Sequence, residues 1–120
     1  MAGAEFAAFV TGMLEPLGGV SARRMFGGHG IFAGGVMFAL IADEQLYFRV
    51  DERTREQFEA EDCAPFSYRR TEGERKMHSY YTAPERLLDD ADELLEWGQA
   101  AMDAAFRNDA LKKKPRKKQG

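Results

Sequence analysis

The chain has 120 residues, of which 44% are apolar and 31% charged, a composition that fits one globular domain with its own core. No apolar run approaches the roughly 20 residues that span a bilayer, and the start MAGAEFAAFV lacks the basic segment of a signal peptide. We therefore expect a cytoplasmic protein without a membrane partner. The single cysteine, Cys63, excludes an intramolecular disulfide and the cysteine-rich zinc fingers.

The charge is distributed unevenly along the chain. The formal net charge is -3, but residues 1–111 hold 11 basic and 20 acidic side chains, a balance of -9. The following stretch, KKKPRKK, holds six basic side chains and no acidic one. The sequence therefore predicts an acidic body that repels nucleic acid and a basic tail that attracts phosphates or the acidic body itself.

The first half of the chain predicts one helix and four strands. Apolar residues recur at spacings of three and four from Phe6 to Leu14, which is typical of an amphipathic helix, and Pro16 ends it. Four β-favouring segments follow, and they are SARRMF, HGIFA, VMFALIA and QLYFRV. The pair Gly34-Gly35 and the pair Asp43-Glu44 stand where hairpin turns are expected.

The second half predicts a short helix, two strands and a long terminal helix. Asp51 is placed to cap the helix ERTREQFEAED, and PFSYRR and KMHSYYT are the fifth and sixth strands. The pair Asp89-Asp90 is interpreted as a helix cap, and an apolar stripe from Ala91 to Ala105 indicates the long helix that follows. Short links between consecutive strands favour an antiparallel sheet with helices on one face, so the predicted class is α+β. We predict one domain over 1–108 and a basic, disordered tail over 109–120.

The segment RRMFGGHGIFAGGVMFALI contains five glycines and fits the loose dinucleotide pattern G-x-G-x-x-G/A from Gly28 to Ala33. That motif requires a helix directly after it, and the residues that follow are β-favouring. The Gly-Lys-Ser/Thr ending of a phosphate-binding loop is also missing. The glycines are therefore interpreted as bends or bulges between strands, where positive φ is needed.

Catalytic and metal-binding patterns are weak in this sequence. His29, Cys63 and His78 are the available soft or borderline ligands, and none stands at a ligand-like spacing from another. Cys63 follows Glu61 and Asp62, whose charges disfavour a thiolate nucleophile. We predict no catalytic residue, cofactor or metal, and hence no enzyme, while a small metal-binding protein or enzyme that uses these three residues stays an alternative.

Two features point to recognition of a partner. Arginines and tyrosines cluster on the predicted strands and suit a protein partner or stacked bases, although alternate residues could simply face water. The candidate surface on the strands consists of Arg23, Arg24, Tyr68, Arg69, Arg70 and Tyr80. The candidate residues in the tail are Lys112, Lys113, Lys114, Arg116, Lys117 and Lys118.

Several segments resemble the N-terminal domain of the TfoX/Sxy family of bacterial competence regulators. They are RRMFGGHGIF, GVMFALIADEQLYFRVD, PFSYRR and SYYTAPERLLDDADELLEWGQAAMDAA, and the resemblance runs from about Phe6 to Phe106. It implies an α+β domain similar to small secretion-chaperone-like folds. It also implies a role in transcriptional activation of DNA-uptake genes together with the cyclic-AMP receptor protein, without a catalytic site. Full-length members carry a second, C-terminal domain, whereas here we expect only the basic tail after Phe106.

These observations lead to one main functional hypothesis and its alternatives. The main hypothesis is a non-enzymatic regulatory or adaptor domain that contacts a protein of the transcription machinery or a regulator, near DNA. An alternative is weak, non-specific binding of nucleic acid through the tail, for which six neutralised phosphates predict a salt slope of roughly -5. Homodimerisation through an uncovered sheet face or edge is a further open alternative.

Overall fold

The structure, a computed structural model, describes residues 3–25 and 27–113. Its helices and strands, in chain order, are α1 Gly3–Leu14, β1 Val20–Met25, β2 Gly28–Ala33, β3 Val36–Ala42, β4 Gln45–Arg49, α2 Arg55–Ala60, β5 Pro65–Arg70, β6 Gly73–Thr82 and α3 Ala91–Lys113. Short 3₁₀ helices at Glu15–Leu17 and Glu85–Asp89 follow α1 and precede α3. No helix in the described part of the chain is long and apolar enough to cross a membrane.

The six strands form one antiparallel sheet in the order β1-β2-β3-β4-β6-β5. The predicted α+β class, with a four-stranded meander followed by a short helix, two strands and a long helix, is confirmed. Gly34 and Gly35 connect β2 to β3 with φ values of 57° and 80°, as the predicted turn requires. Asp43 and Glu44 also adopt positive φ between β3 and β4, although neither is a glycine.

The core lies between one face of the sheet and the helices α1 and α3. Its largest fully buried side chains are Phe38, Phe48, Phe58, Leu14, Ile31, Leu46, Leu87, Leu94, Val10 and Val50. Phe9 was expected on the buried stripe of α1 but is 41% exposed, and Ala7 takes the buried position instead. The reason is that the buried stripe of α1 is narrow, so only part of the apolar set can face the sheet.

A bulge in β3 increases the apolar content of the core. Ile31 of β2 pairs with Ala39, whereas Phe32 pairs with Met37, so β3 contains one residue more than β2 in this interval. Phe38 and Ala39 are consequently both buried, although strict alternation would place them on opposite faces. The bulge explains how β3 supplies consecutive apolar residues to the core while Met37 points the other way.

The ends of the helices differ in part from the prediction. Asp90 Oδ1 accepts the Glu93 backbone N–H at 3.1 Å, which caps the start of α3 as predicted. Asp51 does not directly cap α2, because its Oδ1 accepts the N–H of Arg53 and the chain makes a turn before α2 begins. The helix α3 continues to Lys113, past the boundary predicted at 108. The rest of the predicted tail lies outside the described residues.

Candidate functional site: the open face of the sheet

The face of the sheet opposite to α1 and α3 forms the candidate site, and we call it the open face. Register identifies its members, because directly paired residues share a face. Arg23 pairs with Gly30, Gly30 with Leu40, and Leu40 with Tyr47. None of these four belongs to the buried core that faces the helices. The open face therefore runs across the first four strands.

An apolar groove of about 480 Å³ lies on the open face. Its apolar lining comes from both ends of the strand order and includes Met25, Met37, Leu40, Phe66, Tyr68 and Met77. The Phe66 ring meets the Tyr47 ring edge-on at a centroid distance of 5.0 Å and stacks on Tyr68 at 6.0 Å. Because β1–β3 and β5–β6 contribute to the same groove, the sheet curls and its open face is concave.

The missing side chain at Gly30 leaves room for Met25 and Met37 to pack together on the floor of the groove. A Cβ at this position would lie 2.6 Å from the Met25 sulfur and 2.7 Å from the Met37 sulfur. Gly28 is required for a different contact, the close approach of the β2 and β3 backbones, because a Cβ at this position would overlap the carbonyl oxygen of Ile41. The predicted bend is confirmed at Gly27, which has a φ of 78°, whereas Gly28 and Gly30 are required by packing inside a strand.

Three of the six methionines in the chain line this groove. A methionine side chain is unbranched and polarisable, so it adapts to apolar groups of different shapes. Surfaces that bind several related segments use this property. The groove is therefore suited to apolar side chains of a partner that inserts from solvent.

The edge of the groove is basic. The Arg23 guanidinium lies over the Phe32 ring, 4.5 Å from its centroid, and Arg75 pairs directly with the groove residue Tyr68. The six strands together carry seven basic residues and one acidic residue, Glu74. The rest of residues 3–113 carries 19 acidic and six basic residues. The strands are thus net positive, whereas the helices and connecting segments together are net negative.

The structure places the predicted strand residues as follows. Arg23 and Arg24 are exposed on β1, and because they are consecutive, only Arg23 points to the open face. Tyr68 is 37% exposed at the groove. Arg69 and Arg70 belong to β5, but their side chains lie outside the described part. Arg23 and Tyr68 are therefore the predicted residues that the structure brings to the open face with their side chains accessible.

Tyr80 is not an exposed recognition residue, contrary to the prediction. It is 4% exposed, and its hydroxyl donates a hydrogen bond to the Met37 backbone oxygen at 3.2 Å. The Arg49 guanidinium lies 5.6 Å from the centroid of its ring. Burial raises the pKa of Tyr80, so the hydroxyl remains a donor. The curvature of the sheet covers this ring, so Tyr80 packs beneath the open face and is not available to a partner.

The tail residues are described only at their beginning. Lys112 is exposed in the last turn of α3, and Lys113 ends that helix. Lys114, Arg116, Lys117 and Lys118 lie outside the described residues. The hypothesis that the tail binds nucleic acid therefore stays a prediction.

The residues proposed for metal binding or catalysis occupy three separate positions. His29 belongs to β2, Cys63 precedes β5, and His78 belongs to β6. Within residues 3–25 and 27–113, no three His, Cys, Asp or Glu side chains group closely enough to hold a metal ion. Burial raises the pKa of the Cys63 thiol, which disfavours the nucleophilic thiolate.

Apart from Tyr68, the apolar members of the groove were not among the predicted site residues. A signal for them was present, because the segment VMFALIA carries apolar residues at both odd and even positions. A strictly alternating strand with one face in water would have had a polar residue at every second position. The sequence could not show that Phe66 and Met77 lie opposite them, since this depends on the curvature of the sheet.

Comparison with known proteins agrees with the resemblance seen in the sequence. The family model of the TfoX N-terminal domain matches residues 12–105, which is most of the chain and includes all six strands. No curated protein matches the chain significantly. The match covers β1 to β6 and most of α3, so it includes every residue of the groove. The chain belongs to the TfoX N-terminal domain family.

Proposed function

We propose that this domain is a non-enzymatic regulatory adaptor, related to the regulators of DNA uptake, that binds a transcription protein across its open face. The observation that carries the proposal is the apolar groove with its basic edge. A groove with apolar walls is the usual form of a specific binding site on a domain surface. Family membership supports a regulatory role, and the groove supplies a surface through which such a role can act.

The charge of the sheet defines the partner more closely. The partner is proposed to present an acidic segment with two or three apolar side chains. Its carboxylates would lie near Arg23 and Arg75, and its apolar side chains would lie between the methionines of the groove. Complementary charge accelerates encounter and sets orientation, while the apolar anchors supply most of the affinity. A partner bound in this way brings the domain near DNA whenever the partner itself occupies DNA.

The same charges argue against a dimer formed by two open faces. A two-fold interface would place the basic edge of one copy against the basic edge of the other, since both use the same surface. Like charges in close contact suppress such pairing. The oppositely charged helical layer of a second copy would dock head to tail, which builds rings or filaments and not a two-fold dimer. A different, acidic protein is therefore the proposed occupant.

Replacement of Leu40 by glutamate is expected to weaken partner capture at least about tenfold. The change places a carboxylate in the apolar groove and opposes the charge of an acidic partner. The measurement is affinity capture from a bacterial lysate with the full chain as bait and quantitative mass spectrometry of transcription components. Thermal melting verifies that the variant is folded.

The matched control is Gln99→Glu, which adds the same charge on the exposed surface of α3. This control should capture the partner as the unaltered chain does. Equal loss in both variants would mean that only net charge matters, and equal capture by both would remove the open face as the binding surface. A variant with the tail lysines changed to glutamine excludes proteins that are captured through contaminating nucleic acid.

A further inference from the structure

A second cavity lies at one end of the sheet, and four of its twelve lining residues are arginines. Its volume is about 760 Å³, and it is bounded by the end of β4, the turn before α2, β6 and the last part of α3. Four arginines line it, namely Arg49, Arg53, Arg55 and Arg107, together with two acidic residues, Asp51 and Glu52. We call it the arginine cleft. Its positive lining contrasts with the net negative charge of residues 1–111.

Asp51 pairs with Arg107, and with Glu52 it leaves a formal charge of +2 on the lining of the cleft. Its Oδ2 accepts a hydrogen bond from Arg107 Nε at 2.7 Å, and its Oδ1 accepts one from the Arg53 backbone N–H at 3.0 Å. The hydrogen bond from Arg107 lowers the pKa of the Asp51 carboxyl, so it remains ionised and holds α3 against the turn. Because Asp51 is committed to Arg107, it does not compensate Arg49 or Arg53.

Arg49 carries a buried donor that is unsatisfied. Its Nε is buried and has no hydrogen-bond partner among the described residues. A buried, unpaired donor costs free energy, and an anion in the cleft would offset that cost through its charge beside the guanidinium. Arg55 is less available, because it lies beside Tyr81, whose hydroxyl donates to Glu59 at 3.0 Å. Arg49 and Arg53 are therefore the residues expected to meet a ligand.

We infer that the arginine cleft binds phosphate groups. A guanidinium presents several N–H donors in a planar fork that matches two phosphate oxygens at once. The volume exceeds that of a single carboxylate and suits a phosphate ester with more than one anionic group. Ala110 and Leu111 line the cleft, and the basic tail begins directly after them, at Lys112. Phosphate binding here does not depend on the protein-binding role of the open face.

The test uses inorganic pyrophosphate and the full chain in low salt, with binding measured by titration calorimetry. We expect saturable binding that Arg53→Ala weakens by roughly tenfold, the effect of losing one hydrogen-bonded charge. Arg49→Lys keeps the charge and removes the fork, so it should weaken binding while the melting temperature stays close to that of the unaltered chain. The matched control is Arg24→Ala, which removes one exposed arginine outside the cleft.

Two further titrations identify the source of the phosphate, and they use a nucleoside diphosphate and a 12-nucleotide single strand. If nucleic acid is the source, the single strand binds more tightly than pyrophosphate and loses affinity both with Arg53→Ala and with the tail lysines changed to glutamine. If a nucleotide is the source, the nucleoside diphosphate binds more tightly and only Arg53→Ala weakens it. Absence of binding by all three probes, or equal weakening by Arg24→Ala, would overturn the inference.

Discussion

Replacement of Gly28 by alanine is expected to lower the free energy of unfolding of the domain strongly. The new Cβ would overlap the carbonyl oxygen of Ile41 and approach its carbonyl carbon to 3.3 Å. Both atoms belong to the backbone of β3, so a rotamer change cannot relieve the contact and the β2–β3 pairing must open. Overpacking usually costs about 1–3 kcal/mol, and we expect a value at or above the top of that range. Urea denaturation followed by circular dichroism measures it.

Gly12→Ala is the control for this change. Gly12 belongs to α1, and no described atom outside its own helix and neighbours lies within 4 Å of the Cβ position. Alanine should therefore raise the free energy of unfolding by about 0.5–1 kcal/mol, because glycine disfavours the helix interior. A Gly28→Ala variant as stable as the unaltered chain would contradict the close approach of β2 and β3 described above.

Replacement of Trp97 by alanine should lower the free energy of unfolding by about 3–5 kcal/mol. This side chain is 5% exposed, and its ring meets the Phe58 ring edge-on at 4.9 Å. Phe58 is the buried residue of α2, so the loss also loosens α2 from α3. The turn before α2 carries Asp51 and the arginine cleft, and loosening α2 should also weaken pyrophosphate binding. Circular dichroism is the appropriate signal, because Trp97 is the single tryptophan.

Glu96→Ala provides the matched control on the same helix. Glu96 is exposed, and its loss should change the free energy of unfolding by no more than about 0.5 kcal/mol. Equal destabilisation by the two changes would contradict the contribution assigned to the contact of Trp97 with Phe58.

The elements of this fold were predictable because their signals are local. Alternation of side chains identified the strand QLYFRV, and the pair Gly34-Gly35 indicated a hairpin turn that the structure has. Asp90 was expected to cap a helix and does so. The bulge at Phe38 was not predicted, because it depends on the fit between two strands and leaves no local signature in the apolar segment.

The candidate site was predictable only in part. Arg23 and Tyr68 were identified by residue type and are accessible on the open face. Tyr80 has the same type and a similar sequence context as Tyr68, yet it is buried against Arg49 and the β3 backbone. Residue type does not distinguish the two, since the difference arises from the curl of the sheet. The same curl brings Met25 and Met77 into one groove.

Site-specific photo-crosslinking in bacterial cells tests most directly that the open face binds the partner. A photoreactive residue is placed at Tyr68, in the groove, and separately at Glu96, on the helical layer. We expect the Tyr68 position to form an adduct with a transcription protein through an acidic segment that contains apolar residues, and Glu96 to form none. The same adduct from Glu96, with none from Tyr68, would contradict the proposed role of the open face.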